Sequence, residues 1–250
     1  MSESQKGAAL VTGAGQGIGR AIALQLASDG FDVAINDIAN SSEKAEAVAS
    51  EVRALGRKAV VVLADVTAAE QVAEAFQNAY DQLGNLSVVV ANAGIARVDS
   101  LIDLSSDAWD RMFEINVRGV FLTYQAAARQ FIKQGTGGKI IGAASQVAHR
   151  AAGGFAAYSS SKFAVRGLTQ AAAQEWAAHG ITVNAYAPGV VDTALWDTAK
   201  EIQKALVASI PVGRLQTPQD VGNTVSFLAS SKSDYMTGQT IISDGGMVFA

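Results

Sequence analysis

One stretch near the amino terminus constrains this chain most. A short apolar run, Ala8-Ala-Leu-Val11, leads at once into Thr12-Gly-Ala-Gly-Gln-Gly-Ile-Gly19, and Arg20 to Ser28 then reads as an apolar-rich helix. Strand, glycine turn, helix is the opening of a βαβ unit. The pattern recurs. Phe31 to Asp37, Lys58 to Asp65 and Leu86 to Ala91 are apolar strand-length runs, separated by helical stretches at Ala39 to Leu55, with Gly56 as C-cap, and at Ala68 to Leu83. Apolar strands alternating with helices over short connections argue for a doubly wound parallel sheet with helices on both faces. Its crossovers should be right-handed. Three further strands are expected at Lys139 to Ser145, Ile181 to Tyr186 and Gln239 to Ser243. Helices are expected at Asp107 to Arg129, Tyr158 to about Ala178, and Pro218 to Ala229.

Composition narrows the class. The chain has 250 residues, 49% of them hydrophobic, with no repeat or linker, which suits one α/β domain spanning 1–250. It has no cysteine, so disulfides and thiolate metal sites are excluded and a reducing compartment is the simple reading. The net charge is −4 and no basic block suggests nucleic acid or an anionic membrane. The first residues are polar and no apolar run approaches the ~20 residues of a membrane span. A soluble cytoplasmic protein is expected. With only His149 and His179, no metal site is expected.

In open α/β sheets, ligands bind beyond the carboxyl ends of the strands. Gly13 allows a tight turn out of the first strand, Gly17 lets backbone approach a phosphate, and Gly19 lets the helix pack close. The following helix N-terminus favours a pyrophosphate. The spacing is Gly-x-x-x-Gly-x-Gly rather than Gly-x-Gly-x-x-Gly. Asp37 ends the second strand, where an acidic residue commonly takes the adenosine ribose hydroxyls. It would repel a 2′-phosphate, and Gln16 is uncharged, so NAD is expected over NADP. A cap or turn role fits Asp37 as an alternative. Asp65-Val66 could meet the adenine edge, or Asp65 could cap the next helix. Asn92-Ala93-Gly94 is a small-residue turn that lets backbone approach a ligand. Ser145 brings a hydroxyl to the same edge. Tyr158 and Lys162 are four apart on a helix and so share a face. An ammonium beside a phenol favours the phenolate, bringing its pKa nearer to neutral for acid/base work. A surface helix pair is the alternative. Asn116 falls inside an apolar face, where an amide must find partners. The stretch 190–212 follows a strand end and can serve as a lid.

Taken together, Thr12 to Gly19, Asn92-Ala-Gly94, Asn116, Ser145, Tyr158-x-x-x-Lys162, Pro188-Gly189 and Asp244-Gly-Gly246 make the chain resemble the short-chain dehydrogenase/reductase family over essentially its whole length. The resemblance implies a single Rossmann-type domain with a seven-stranded parallel sheet in three α/β/α layers, and usually a homotetramer. It implies an NAD(H)-dependent oxidoreductase that moves a hydride between nicotinamide and a ketone or secondary alcohol. Tyr158 would be the acid/base. Lys162 would lower its pKa and bind the nicotinamide ribose. Ser145 would polarise the substrate oxygen, and Asn116 would hold a relay water. Cofactor contacts are implied at Gly13, Gln16, Ile18 and Asp37, at Asp65, Val66, Asn92 and Gly94, at Tyr158 and Lys162, and at Pro188, Gly189, Val191 and Thr193. Thr12 would brace the loop. A binding module without turnover, the alternative of another class, has no need of the complete Ser-Tyr-Lys-Asn set.

Within the family, Ser145-Gln146, Tyr158 to Thr169 and Asp234 to Gly238 are similar to the acetoin (diacetyl) reductase and 2,3-butanediol dehydrogenase subgroup. A small diketone, hydroxyketone or vicinal diol is then the expected substrate. Gln146 could bond a second substrate oxygen, and Trp196 could wall the pocket or simply pack the lid. The small residues Ala151-Ala-Gly-Gly154 supply few polar groups and keep larger or cyclic ketones open. His149 and Arg150 are the polar pair nearby. Val221 to Leu228 and Met247-Val-Phe249 could be subunit contacts.

Overall fold

The computed structural model of the chain describes residues 6–193 and 207–249. Seven strands form in sequence order: β1 (Ala8–Thr12), β2 (Asp32–Asp37), β3 (Ala59–Leu63), β4 (Leu86–Ala91), β5 (Gly138–Ala143), β6 (Ile181–Pro188) and β7 (Thr240–Ser243). They make one parallel sheet in the order β3-β2-β1-β4-β5-β6-β7. Every residue of β1 is buried, as expected of a strand covered on both faces. The chain leaves β1 toward β2 and β3, then crosses back to place β4 on the other side of β1. That reversal opens a crevice at the carboxyl ends of β1 and β4.

The helices are α1 (Gly17–Ser28), α2 (Ser42–Ala54), α3 (Ala69–Leu83), α4 (Ser106–Phe113), α5 (Gly119–Gln134), α6 (Ala156–Trp176) and α7 (Pro218–Ala229). On one face of the sheet, Val72, Phe76, Leu122, Phe131 and Val165 of α3, α5 and α6 pack on Leu10, Val89, Ile140 and Val183. On the other, Ile22, Leu26, Val48, Val225 and Leu228 of α1, α2 and α7 pack on Val11, Ile35, Ile141 and Tyr186. Pro218 opens α7 behind a capping box between Thr217 and Asp220, the geometry that fixes this helix start.

Two expectations change. The helix read from Asp107 to Arg129 is interrupted. Glu114–Arg118 is a π-helical turn between α4 and α5, and it contains Asn116. Such turns recur at functional sites because the extra residue re-aims side chains. Val221, Val225 and Leu228 are not free for a subunit contact, because they are buried in this chain's own core. Phe227 stays exposed on that helix, and Phe249 is 88% exposed at the carboxyl end.

Candidate active site

Thr12 and Asn92 knit the crevice. The Thr12 hydroxyl accepts from the backbone N–H groups of Asn92 and Ala93, each at 3.0 Å, and so braces the turn after β4. Asn92 Nδ2 donates to the carbonyls of Thr12 (2.8 Å) and Gly13 (3.1 Å). Gly13 has φ +62°, which a residue with a side chain rarely adopts. At Gly19 a Cβ would collide with the Gly13 carbonyl and lie 2.6 Å from Asn92 Nδ2. The loop from Gly13 to Gly19 is therefore a bare-backbone cradle at the start of α1, with Gln16 exposed and Ile18 half-buried on its rim. That suits a pyrophosphate. Thr193 reaches over it, with its Cγ2 3.9 Å from where a Gly17 Cβ would stand.

The adenosine end is more intricate than its sequence. Asp37 Oδ2 accepts from Gly15 N at 2.9 Å and Oδ1 from Ile38 N at 2.9 Å, so the carboxylate also ties down the glycine loop. Sequence spacing shows no cation here, whereas the fold supplies one. Lys44 Nζ donates to Gln16 Oε1 at 2.8 Å. Asp65 lies two residues beyond β3 and accepts from Thr67 N (2.9 Å) and Thr67 Oγ1 (2.8 Å). Those bonds hold its carboxyl below the usual range. Its carboxylate thus closes a turn, while Val66 is buried against the start of α5, its Cγ2 close to Gly119.

Beyond β5, Ser145 caps a short turn through Val147 N (3.4 Å), and its hydroxyl acts on the Tyr158 phenol. Phe155, just before α6, lies against the Tyr158 ring with centroids 6.1 Å apart. Lys162 is 3% exposed. Its Nζ donates to the Ala143 carbonyl at 2.7 Å and stands 5.5 Å from the Tyr158 ring centroid. Burial pushes the Lys162 ammonium down to about 8. Burial also pushes the Tyr158 phenol up, while the Ser145 hydroxyl pulls it back. The direction at Tyr158 is therefore set by desolvation, against the lowering that the spacing suggests.

Asn116 is fully buried at the π turn. Its Oδ1 accepts from Ile95 N (2.8 Å), and Nδ2 donates to Ile95 O (2.8 Å) and to Ser161 Oγ (3.1 Å). This clamp fixes the chain just after Gly94. A Cβ at Gly94 would lie 3.0 Å from Asn116 Oδ1 and 3.6 Å from Lys162 Nζ. Gly94, Asn116 and Lys162 therefore meet at one wall, and Tyr158 shares α6 with Lys162.

At β6, Gly189 packs on Asp244, whose carboxylate accepts from the N–H groups of Gly246, Met247 and Val248. Val191 pairs with Gln216, and Gln216 Oε1 accepts from Gly189 N at 3.1 Å, so the base of the 190–212 segment is stapled beside buried Pro188. Trp196, and Leu195 beside it, lie outside the described residues. Gln146 Oε1 is buried without a partner, an acceptor that a bound hydroxyl could satisfy. Neither ring nitrogen of His149 makes a hydrogen bond of good geometry; burial first, then Arg166, push its pKa down, while Asp244 and the Thr240 backbone pull it back.

A nicotinamide dinucleotide fits these residues: a bare glycine cradle for phosphate, Asp37 for ribose hydroxyls, and an open wall at Gly94 beside Lys162. The remaining chemistry is a phenol beside a serine hydroxyl and a buried ammonium, able to give or take one proton.

Residues 13–248 match the family model described as enoyl-(acyl carrier protein) reductase. A short-chain dehydrogenase/reductase of Armillaria gallica is 47% identical over 99% of this chain and 98% of its own. The L-2,3-butanediol dehydrogenase of Corynebacterium glutamicum is 44% identical, covering 96% and 98%. The 3-oxoacyl-[acyl-carrier-protein] reductase FabG of Staphylococcus aureus is 44% identical, covering 96% and 97%. Among crystal structures, a short-chain type dehydrogenase/reductase from Mycobacterium marinum superimposes with a TM-score of 0.92 at 38% identity, covering 96% of this chain and 95% of its own. The acetoin dehydrogenase of Enterobacter cloacae does so at 0.88 and 34%, covering 98% and 96%.

Proposed function

Because the chain belongs to the short-chain dehydrogenase/reductase family, we propose that it is an NAD(H)-dependent dehydrogenase/reductase of small vicinal diketones, hydroxyketones or diols. The observation that carries this is the joined Ser145–Tyr158–Lys162 set beside the bare Gly94 wall. Identity to butanediol dehydrogenase and likeness to acetoin dehydrogenase support the substrate class. When bound, the dinucleotide supplies or takes up the hydride. In ketone reduction, the Tyr158 O–H gives its proton to the substrate oxygen while Ser145 donates to that oxygen and holds it in line. The phenolate left behind is stabilised by the Lys162 ammonium and regains its proton through Lys162. Asn116 keeps Ile95 and Gly94 in register with Lys162 and carries the water link to solvent that the family resemblance implies. Gln146 Oε1 accepts from a second substrate hydroxyl. Asp37 selects NAD(H) by accepting from the ribose hydroxyls.

Exposed Phe227 and Phe249 fit a homotetramer of this chain. No helix among the described residues is long and apolar enough to cross a membrane, and we place the protein in the cytoplasm on its lack of cysteine. A second reading takes a larger ketone. The exposed Ala151-Ala-Gly-Gly154 loop borders an apolar groove of about 670 Å³ with Leu101 and Phe163, which would accept a bulkier substituent.

The test is NADH oxidation measured over diacetyl, acetoin, monoketones, cyclic ketones and acetoacetyl thioesters. Turnover of the first two is expected. Activity confined to cyclic ketones or thioesters would move the assignment to the second reading.

A further inference from the structure

A phenol that the catalytic set does not use reaches the cofactor crevice from two strands away. Tyr186 of β6 is 2% exposed, and its OH donates to Asn92 Oδ1 at 2.8 Å. β5 lies between β6 and β4, and its residue in register with Tyr186 is Ala143. That small side chain leaves room for the ring to pass over the strand. Asn92 in turn spends its amide hydrogens on the Thr12 and Gly13 carbonyls, so three strand ends are joined in one chain of hydrogen bonds. The Asn92 nitrogen also sits where Gly19 allows it, directly beneath the cradle.

We propose that Tyr186 is a positioning residue for dinucleotide binding, acting through Asn92 to hold the Thr12–Gly13 turn in its phosphate-receiving shape. The proposal rests on the reading that the cofactor lies over this cradle. Its logic is donor accounting. Both hydrogens of the Asn92 amide face carbonyls, so the amide cannot flip without setting its oxygen against them. The oxygen must then meet a donor from the other side, and Tyr186 provides it. Burial pushes the Tyr186 phenol well above its ordinary value, so it stays protonated and remains a donor across the pH range in which the protein would work. With Phe at 186 the shape of the core is kept, but the Asn92 oxygen loses its donor. The amide then shifts toward water, and the two carbonyls of the turn lose a fixed partner.

The experiment is NADH binding by fluorescence titration for the parent, Tyr186→Phe, Asn92→Ser and the double variant, with steady-state kinetics on the best carbonyl of the screen. Tyr186→Phe is expected to raise the NADH Kd and KM about five- to twentyfold, as an unpaired buried acceptor at one remove from the ligand would. Its kcat at saturating NADH should stay within about twofold, because the group acts on binding alone. In the Asn92→Ser background the same change should add less than about twofold, since the path is already cut. An unchanged NADH Kd in Tyr186→Phe, whatever its melting temperature, overturns the proposal. So does full additivity in the double variant. Should Tyr186→Phe fail to fold, Asn92→Ser breaks the same link from the other end, and an unchanged Kd there overturns it equally. A parent that binds no dinucleotide refutes the proposed function as well; a parent that binds normally beside an unaffected Tyr186→Phe refutes this inference alone.

Discussion

Replacing Asp37 by Ser tests the adenosine end of the site, and the fold makes the expected result more than a switch of preference. Asp37 accepts from Gly15 N and Ile38 N, both at 2.9 Å, and is proposed to accept from the cofactor ribose as well. Hydrogen bonds to a charged group contribute about 1.5–3 kcal/mol each, so losing the ribose contact alone should weaken NADH binding by roughly 10- to 150-fold. The loss of the Gly15 tie loosens the loop for either cofactor. For NADPH this loss is offset, because the carboxylate no longer repels the 2′-phosphate and Lys44 stands 2.8 Å from Gln16 Oε1 on the same rim. The ratio of the NADPH to the NADH Kd should therefore fall by at least about tenfold. Adding Lys44→Ala to Asp37→Ser should take back up to about fivefold of the NADPH affinity, the scale of an exposed ion pair, and leave NADH alone. Raising salt should erode the Lys44 effect first. Fluorescence titration with each dinucleotide at two ionic strengths reads all of this. If the parent already binds NADPH more tightly, or if Asp37→Ser leaves the ratio within about twofold, the argument for NAD from Asp37 fails.

Three further outcomes are expected. Tyr158→Phe should bind NADH nearly as well as the parent and lose about 10²- to 10⁴-fold in kcat, the usual worth of a positioned acid/base; substantial retained turnover would remove Tyr158 from that role. Lys162→Met should raise the melting temperature at pH 7 while damaging NADH binding. The folded-state pKa of Lys162 is about 8, below its ordinary 10.5, so the folded protein holds fewer protons between those values and its stability rises with pH across that window. The cost of the buried ammonium, up to about 3 kcal/mol, is thus fully present below pH 8 and fades by about pH 10.5. Losing the bond to Ala143 O offsets about 1 kcal/mol of the gain, leaving a few degrees, and melting curves at pH 7 and pH 10.5 that show the same difference would contradict this. Gly94→Ala should cut NADH affinity about tenfold and lower the melting temperature as well, because the added methyl stands 3.0 Å from the clamped Asn116 Oδ1 and 3.6 Å from Lys162 Nζ; unaltered binding would mean that the wall does not face the cofactor.

The sequence by itself determined the order of strands and helices, the parallel sheet and the glycine cradle, while the Ser145–Tyr158–Lys162 set came from the family resemblance. These are legible because apolar period, glycine placement and strand-end position are local signals, and because a doubly wound sheet brings every strand's carboxyl end to one edge. Helix α7 from Pro218 to Ala229 falls where its Pro start and apolar spacing put it. The rest depended on pairings between segments remote along the chain. Lys44 reaches Gln16 from 28 residues away, and Tyr186 reaches Asn92 from 94 residues away. No period encodes such contacts, since they arise from the sheet order and the depth of each side chain. The π turn at Asn116 has no distinct sequence signature, because the residues around it suit an ordinary helix and the bonds to Ile95 reward the extra residue. Tertiary structure also decided that Val221, Val225 and Leu228 are core rather than contact surface, and that desolvation pushes the Tyr158 phenol up. Burial is a property of the packed whole, so neither the direction of that shift nor the face of that helix could be read before the chain was folded.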